Sequence, residues 1–142
     1  MESATLTRRA AVRVVIVEDS PLVRTRLKAL LHADVPDAEL VGEAEEAQAA
    51  IRLIADTGPD VVILDLQLAV GSGLEVLRAV KSGPHAPVVI VLTNRASLEY
   101  QSTCLEAGAE FFFDKSFGFE RLAEILQHLA RKRGPASEEG TI

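Results

Sequence analysis

Glu18, Asp19, Asp65, Thr93 and Lys115 lie far apart in this chain, yet each falls at the end of an apolar run. Glu18 and Asp19 follow VRVVIV, Asp65 closes VVIL, Thr93 closes VVIVL, and Lys115 follows FFFD. Carboxylates can hold a divalent cation, while an ammonium and a hydroxyl can hold phosphoryl oxygens. Brought into one small space, the five residues form the outline of a metal-and-phosphoryl site. That requires the apolar runs to be neighbouring strands. Strands of a parallel sheet, covered by helices on both faces, read as continuous apolar runs. Ligands of such sheets sit in the crevice outside the carboxyl ends of the strands.

The elements needed to position these residues are legible along the chain. Short apolar runs (Val12–Val17, Leu40–Val41 with its neighbours, Val61–Leu64, Val88–Leu92, Phe111–Phe113) alternate with segments of helical period. Val23, Leu27, Leu30 and Leu31 share a helical spacing, as do Ala47, Ala50, Ile51 and Ile54. Leu74 with Leu77, Leu98 with Leu105, and Leu122, Ile125, Leu126 and Leu129 mark three more helices. Ser20-Pro21 reads as an N-cap followed by proline at the first helical position. Gly108 falls where the fourth helix should stop, and Gly134-Pro135 is expected to close the fifth after Arg131-Lys132-Arg133. Five βα units imply parallel strands joined by right-handed crossovers.

Length and composition suit this reading. The 142 residues fit one domain, expected over 12–133, between an N-terminal extension (1–11) and a polar tail (134–142). A net charge of −6 argues against non-specific nucleic-acid binding. The one cysteine, Cys104, excludes an intramolecular disulfide and points to a reducing cytoplasm. No apolar run approaches the ~20 residues of a membrane span, and no signal-peptide core follows the first arginines.

IVEDSPLVRTRL, VVILDLQLAVGSGLEVLRAVK, VVIVLTN and AGAEFFFDKS together resemble the receiver domain of two-component response regulators, over roughly residues 12–130. The resemblance implies a flavodoxin-like doubly wound fold with a five-stranded parallel sheet of order 2-1-3-4-5. It implies that Asp65 accepts a phosphoryl group from the phosphohistidine of a histidine kinase or a histidine phosphotransfer protein. It further implies Mg²⁺ (or Mn²⁺) held by Asp19, Asp65 and the backbone carbonyl of Gln67, with Glu18 acting through water. Lys115 would place its charge on a phosphoryl oxygen and Thr93 its hydroxyl hydrogen bond. Phe112 matches the family's switch aromatic, and the readout surface would be the fourth helix, fifth strand and fifth helix. Strand alternation allows at most two of Phe111, Phe112 and Phe113 on one face, so one is expected to face outward.

Two positions depart from the family pattern. Ser116 stands where a proline commonly makes a cis peptide, and Ala69 replaces the proline after the phosphorylation loop. Neither change removes a reacting group. His32, His85 and His128 are scattered without metal-ligand spacing, and Cys104 is expected to pack rather than react.

The expected function is therefore a stand-alone, cytoplasmic response regulator, a monomer or weak dimer. It would assist its own phosphorylation and dephosphorylation without being a conventional enzyme. After the fifth helix only a short tail remains, so an output domain is not expected, and signalling would run through contacts with a downstream protein. A phosphorylation-independent adaptor is the main alternative. An aspartyl-nucleophile phosphatase would usually need a second acid at position 67, which is glutamine, and a flavin carrier would need a phosphate-cradling loop where EDSPL is acidic.

Overall fold

The computed structural model describes residues 12–139, so the N-terminal extension and the last three residues lie outside the described part. Five strands alternate with five helices. They are β1 (Val12–Val17), α1 (Pro21–Asp34), β2 (Ala38–Ala44), α2 (Ala47–Thr57), β3 (Val61–Leu64), α3 (Gly73–Lys81), β4 (Val88–Thr93), α4 (Leu98–Glu106), β5 (Phe111–Asp114) and α5 (Gly118–Glu139). The sheet is entirely parallel, in the order β2-β1-β3-β4-β5. This is the expected flavodoxin-like arrangement.

Period-two alternation in the strands divides the interior into two cores. Val15, Val17, Val62, Leu64, Val89 and Val91 point to the face covered by α2, α3 and α4. Their neighbours Val14, Ile16, Val61, Ile63, Ile90 and Leu92 point to the face covered by α1 and α5, where Leu27, Leu31, Leu122 and Leu126 meet them. Both faces are therefore dry, which is why β1, β3 and β4 read as unbroken apolar runs. β2 lies at the sheet edge, and its AELVGEA sequence is correspondingly mixed.

The aromatic strand follows the same rule, with one correction. Phe111 and Phe113 stack at 6.2 Å on the α1/α5 side, and Phe112 lies on the opposite face. Phe112 does not face solvent outright, because it is half-buried against the α2/α3/α4 core.

Helix starts are well signalled. The Ser20, Ser72 and Ser97 hydroxyls each accept from the backbone N–H three residues on, at 3.2 Å. Such caps contribute about 1 kcal/mol each. Gly108, with φ of 108°, turns the chain after α4 as expected. The fifth helix differs from expectation: it does not close at Gly134-Pro135 but runs to Glu139. A proline removes one amide donor, which weakens or kinks a helix without forbidding its continuation, and Ala136-Ser137-Glu138-Glu139 can extend it.

Candidate functional site

At the carboxyl end of the sheet, the hydrogen-bond ladder runs one residue past each strand and pins the candidate residues by their backbones. The Glu18 N–H donates to the Ala44 carbonyl (2.9 Å), Asp65 N–H to Val17 (3.0 Å), and Lys115 N–H to Thr93 (2.9 Å). Four strands adjacent in the sheet thus hold Glu18, Asp65, Thr93 and Lys115 in order, and Asp19 lies one residue beyond β1. The gathering of distant residues expected from the apolar runs is what the fold produces.

The side chains converge as well. The Lys115 ammonium lies 2.9 Å from Asp65 Oδ2 and 3.0 Å from Glu18 Oε1. Both carboxylates are almost fully buried, at 2% exposure for Glu18 and 5% for Asp65. Ser20 N–H donates to Glu18 Oε2 at 3.1 Å, and Gln67 N–H donates to Asp65 Oδ1 at 3.3 Å. Asp65 Oδ1 therefore carries only a long hydrogen bond, which leaves lone pairs available for bond formation. Thr93 is fully buried, and its hydroxyl oxygen accepts from the Arg95 N–H at 3.1 Å.

Glu18, Asp19 and Asp65 each offer one carboxylate oxygen, and these oxygens lie within 4.8 Å of one another. Mg²⁺ binds oxygen at about 2.0–2.1 Å, so opposite ligands stand roughly 4 Å apart. The three acids are close enough to serve one such ion, directly or through a bridging water. Asp19 makes no ion pair among the described residues and is partly exposed, whereas Glu18 is already engaged by Lys115. The Gln67 side chain turns away to the next loop. With its amide oxygen facing the guanidinium, it accepts from Arg95 Nη2 at 2.9 Å and Nε at 3.2 Å.

Three acids against one ammonium leave the site negative. Burial pushes the Glu18 carboxyl above its ordinary value of 4.5; Lys115 opposes this and the Asp65 charge adds to it. For Lys115, burial pulls the ammonium down, but its bonds to Asp65 and Glu18 outweigh that and raise it. A carboxyl raised on folding holds its proton more firmly in the folded state. Stability is then greatest with the proton on, and falls as pH rises from 4.5 through the folded-state value. The loss is fully expressed only above the folded-state value. Glu18→Gln, a neutral isostere, is therefore expected to raise the unfolding midpoint in chelator near neutral pH, with the gain vanishing at acid pH. A lower midpoint at neutral pH would show that the Lys115 bond outweighs burial.

Both departures from the family pattern find places here. No peptide bond among the described residues is cis, so Lys115–Ser116 is trans. Ala69 uses the amide that a proline would lack, because its N–H donates to the Glu45 carbonyl at 3.1 Å. Ala47 N–H donates to Val70 O at 2.9 Å, completing a short parallel bridge between the loops after β2 and β3. Cys104 is 1% exposed, and burial raises its thiol, so it packs as expected. Arg24 and Arg95 were not singled out by spacing or motif. Their contacts reach other loops, and nothing local in the sequence marks such pairings.

The family model for the response regulator receiver domain matches residues 14–127. Among curated proteins, the transcriptional regulatory protein TrcR of Mycobacterium tuberculosis is 35% identical over 121 residues, covering 85% of this chain and 46% of TrcR. A protein-glutamate methylesterase/protein-glutamine glutaminase of Syntrophus aciditrophicus is 36% identical over 106 residues, covering 73% of this chain and 30% of that protein. Among solved structures, the signal receiver domain of the putative response regulator NarL from Mycobacterium tuberculosis aligns with a TM-score of 0.77 at 29% identity. That alignment covers 86% of this chain and 98% of the other. The chain spans about half the length of the first curated relatives it matches. No helix among the described residues is long and apolar enough to cross a membrane.

Proposed function

The chain belongs to the response regulator receiver family, and from that premise we propose that Asp65 is its phosphoacceptor. The observation that carries this reading is Asp65 itself: a buried carboxylate at the central strand's end, one oxygen held by Lys115 and the other lightly bonded. The available oxygen would attack the phosphorus of a phosphohistidine while the P–N bond breaks and the imidazole leaves. A divalent cation, when bound to Asp19, Asp65 and the Gln67 backbone carbonyl with Glu18 acting through water, would offset the repulsion between two approaching anions. Lys115 would keep its charge on Asp65 and gain a phosphoryl oxygen as a second partner in place of Glu18. Thr93, whose hydroxyl oxygen accepts from the Arg95 N–H, would donate its hydroxyl proton to a phosphoryl oxygen.

Exposed apolar side chains flank this centre: Leu22 at 73% beside the acidic loop, and Phe117 at 79% just past Lys115. They suit docking of the phosphohistidine protein, a histidine kinase or phosphotransfer protein. On α4, Leu98 and Leu105 are exposed on one helical face and would join β5 and α5 as the readout surface. Phe112 would couple Thr93 to that surface, since its partner in the sheet ladder is Val91, two residues before Thr93. The output is proposed as phosphorylation-dependent protein contact at this surface, where Leu98 and Leu105 stay exposed.

The test is phosphoryl uptake from acetyl phosphate, read by intact mass. Uptake should require Mg²⁺ or Mn²⁺ and stop in chelator. Asp19→Ala should weaken metal binding more than Glu18→Ala, since Asp19 is the carboxylate without an ion pair. A chain that gains no mass in Mg²⁺ would instead be a phosphorylation-independent adaptor.

A further inference from the structure

Beyond the acids lies an arginine joined to the same loop. Arg24, in the first turn of α1, donates from Nη1 to the Glu18 carbonyl at 2.8 Å. Its Nε lies 3.3 Å from Glu43 Oε1 and its Nη2 3.4 Å from Glu45 Oε2. The side chain is only 15% exposed. Glu18 is where β1 stops: its N–H still belongs to the ladder, while its carbonyl belongs to the peptide that leads into Asp19. A charged donor on that carbonyl fixes the plane of the peptide. Glu43 and Glu45, at and just beyond the end of β2, hold the guanidinium in turn. Glu45 reaches further, since its carbonyl accepts from Ala69 on the loop that follows Asp65.

We propose that Arg24 is a positioning residue for the ion site: by holding the Glu18 carbonyl, it sets the direction in which the chain leaves β1 and hence the spacing of Asp19 from Asp65. The inference rests on the reading above only in taking the three carboxylates as a divalent-cation site. It has a distinctive sign. Arg24 is a cation near an acidic cluster, so by Coulomb's law alone its removal should tighten cation binding. Positioning requires the opposite, because a loosened loop no longer presents both carboxylates together.

The experiment titrates the full chain, Arg24→Met and Arg24→Lys with Mn²⁺, read by the electron paramagnetic resonance of the free ion. Unfolding midpoints are measured in chelator alongside. Arg24→Met is expected to bind Mn²⁺ about tenfold more weakly, the scale on which groups orienting metal ligands act. Arg24→Lys keeps the charge and a single donor and should fall between the two. In chelator, amide exchange at residues 18–20 should quicken in Arg24→Met while β4 stays protected. Unchanged or tighter Mn²⁺ binding by Arg24→Met overturns the proposal. If that variant does not fold, an Arg24→Lys affinity equal to the parent's overturns it instead. A parent that binds Mn²⁺ but takes no phosphoryl group would remove the proposed function and leave the positioning role standing. A parent that is phosphorylated, with Arg24→Met binding Mn²⁺ normally, would remove only the positioning role.

Discussion

Asp65→Asn is expected to take up no phosphoryl group from acetyl phosphate in Mg²⁺, under conditions that label the parent fully. The amide matches the carboxylate in shape but offers a neutral oxygen, a far weaker nucleophile, and it withdraws a ligand charge from the ion. The fold should survive the change. Lys115 retains Glu18 at 3.0 Å, and the Asp65 backbone stays bonded to the Val17 carbonyl. Removing the Asp65 charge also lifts one of the two effects that raise the Glu18 carboxyl, leaving burial. Intact mass and peptide mapping read the result. Labelling of Asp65→Asn at another residue, to the parent's extent, would sink the assignment.

The second large effect is steric. Gly73 opens α3 directly over the backbone of Asp65, and a Cβ placed there would lie 2.1 Å from the Asp65 carbonyl oxygen and 2.7 Å from Leu66 Cα. Neither neighbour is a side-chain end that could swing aside. The two segments are also tied together, since Gly73 N–H donates to the Leu66 carbonyl at 2.9 Å. Helix propensity alone would favour alanine over glycine by about 1 kcal/mol in a helix interior. Overpacking costs about 1–3 kcal/mol or more, and here the displaced atoms are backbone, so it should win. Gly73→Ala is therefore expected to lower the stability measured by urea unfolding by at least about 1–3 kcal/mol. Mn²⁺ binding should weaken with it, because the atoms pushed aside carry Asp65. Equal or greater stability in Gly73→Ala would mean that the loop yields freely.

The sequence was most legible where one residue's chemistry is dictated by a strand's position. VVIL and VVIVL are unbroken because helices cover both faces of β3 and β4, and that pattern places Asp65 and Thr93 at the crevice. Ser20-Pro21 was legible because capping is local. What could not be read depends on contacts between remote loops. That Glu18 shares Lys115 with Asp65, that Arg24 spans from the Glu18 carbonyl to β2, and that Gln67 meets Arg95 all follow from which loops the sheet order brings together. Ala69 stands where the family has a proline, and its amide is used in a bond that proline could not make. The end of α5 is a different case, because Gly134-Pro135 is a strong local stop signal that the helix nonetheless passes.

Because Glu18 and Asp65 share one ammonium, the order in which the chain is made matters. Synthesis runs from the amino end, so β1 and β3 exist, and can pair, well before Lys115 emerges. During that interval the two carboxylates lack the ammonium that pairs them in the finished fold. Burying charged groups without their partner is costly, so their burial is favoured only once the partner is present. Lys115 arrives directly behind β5, an edge strand and the last to be made, and its own amide bonds to the Thr93 carbonyl as that strand is added. The final strand thus delivers the counter-charge for the acids at the ends of the first and third, and a nascent chain that lacks it has the acids of the site without the site.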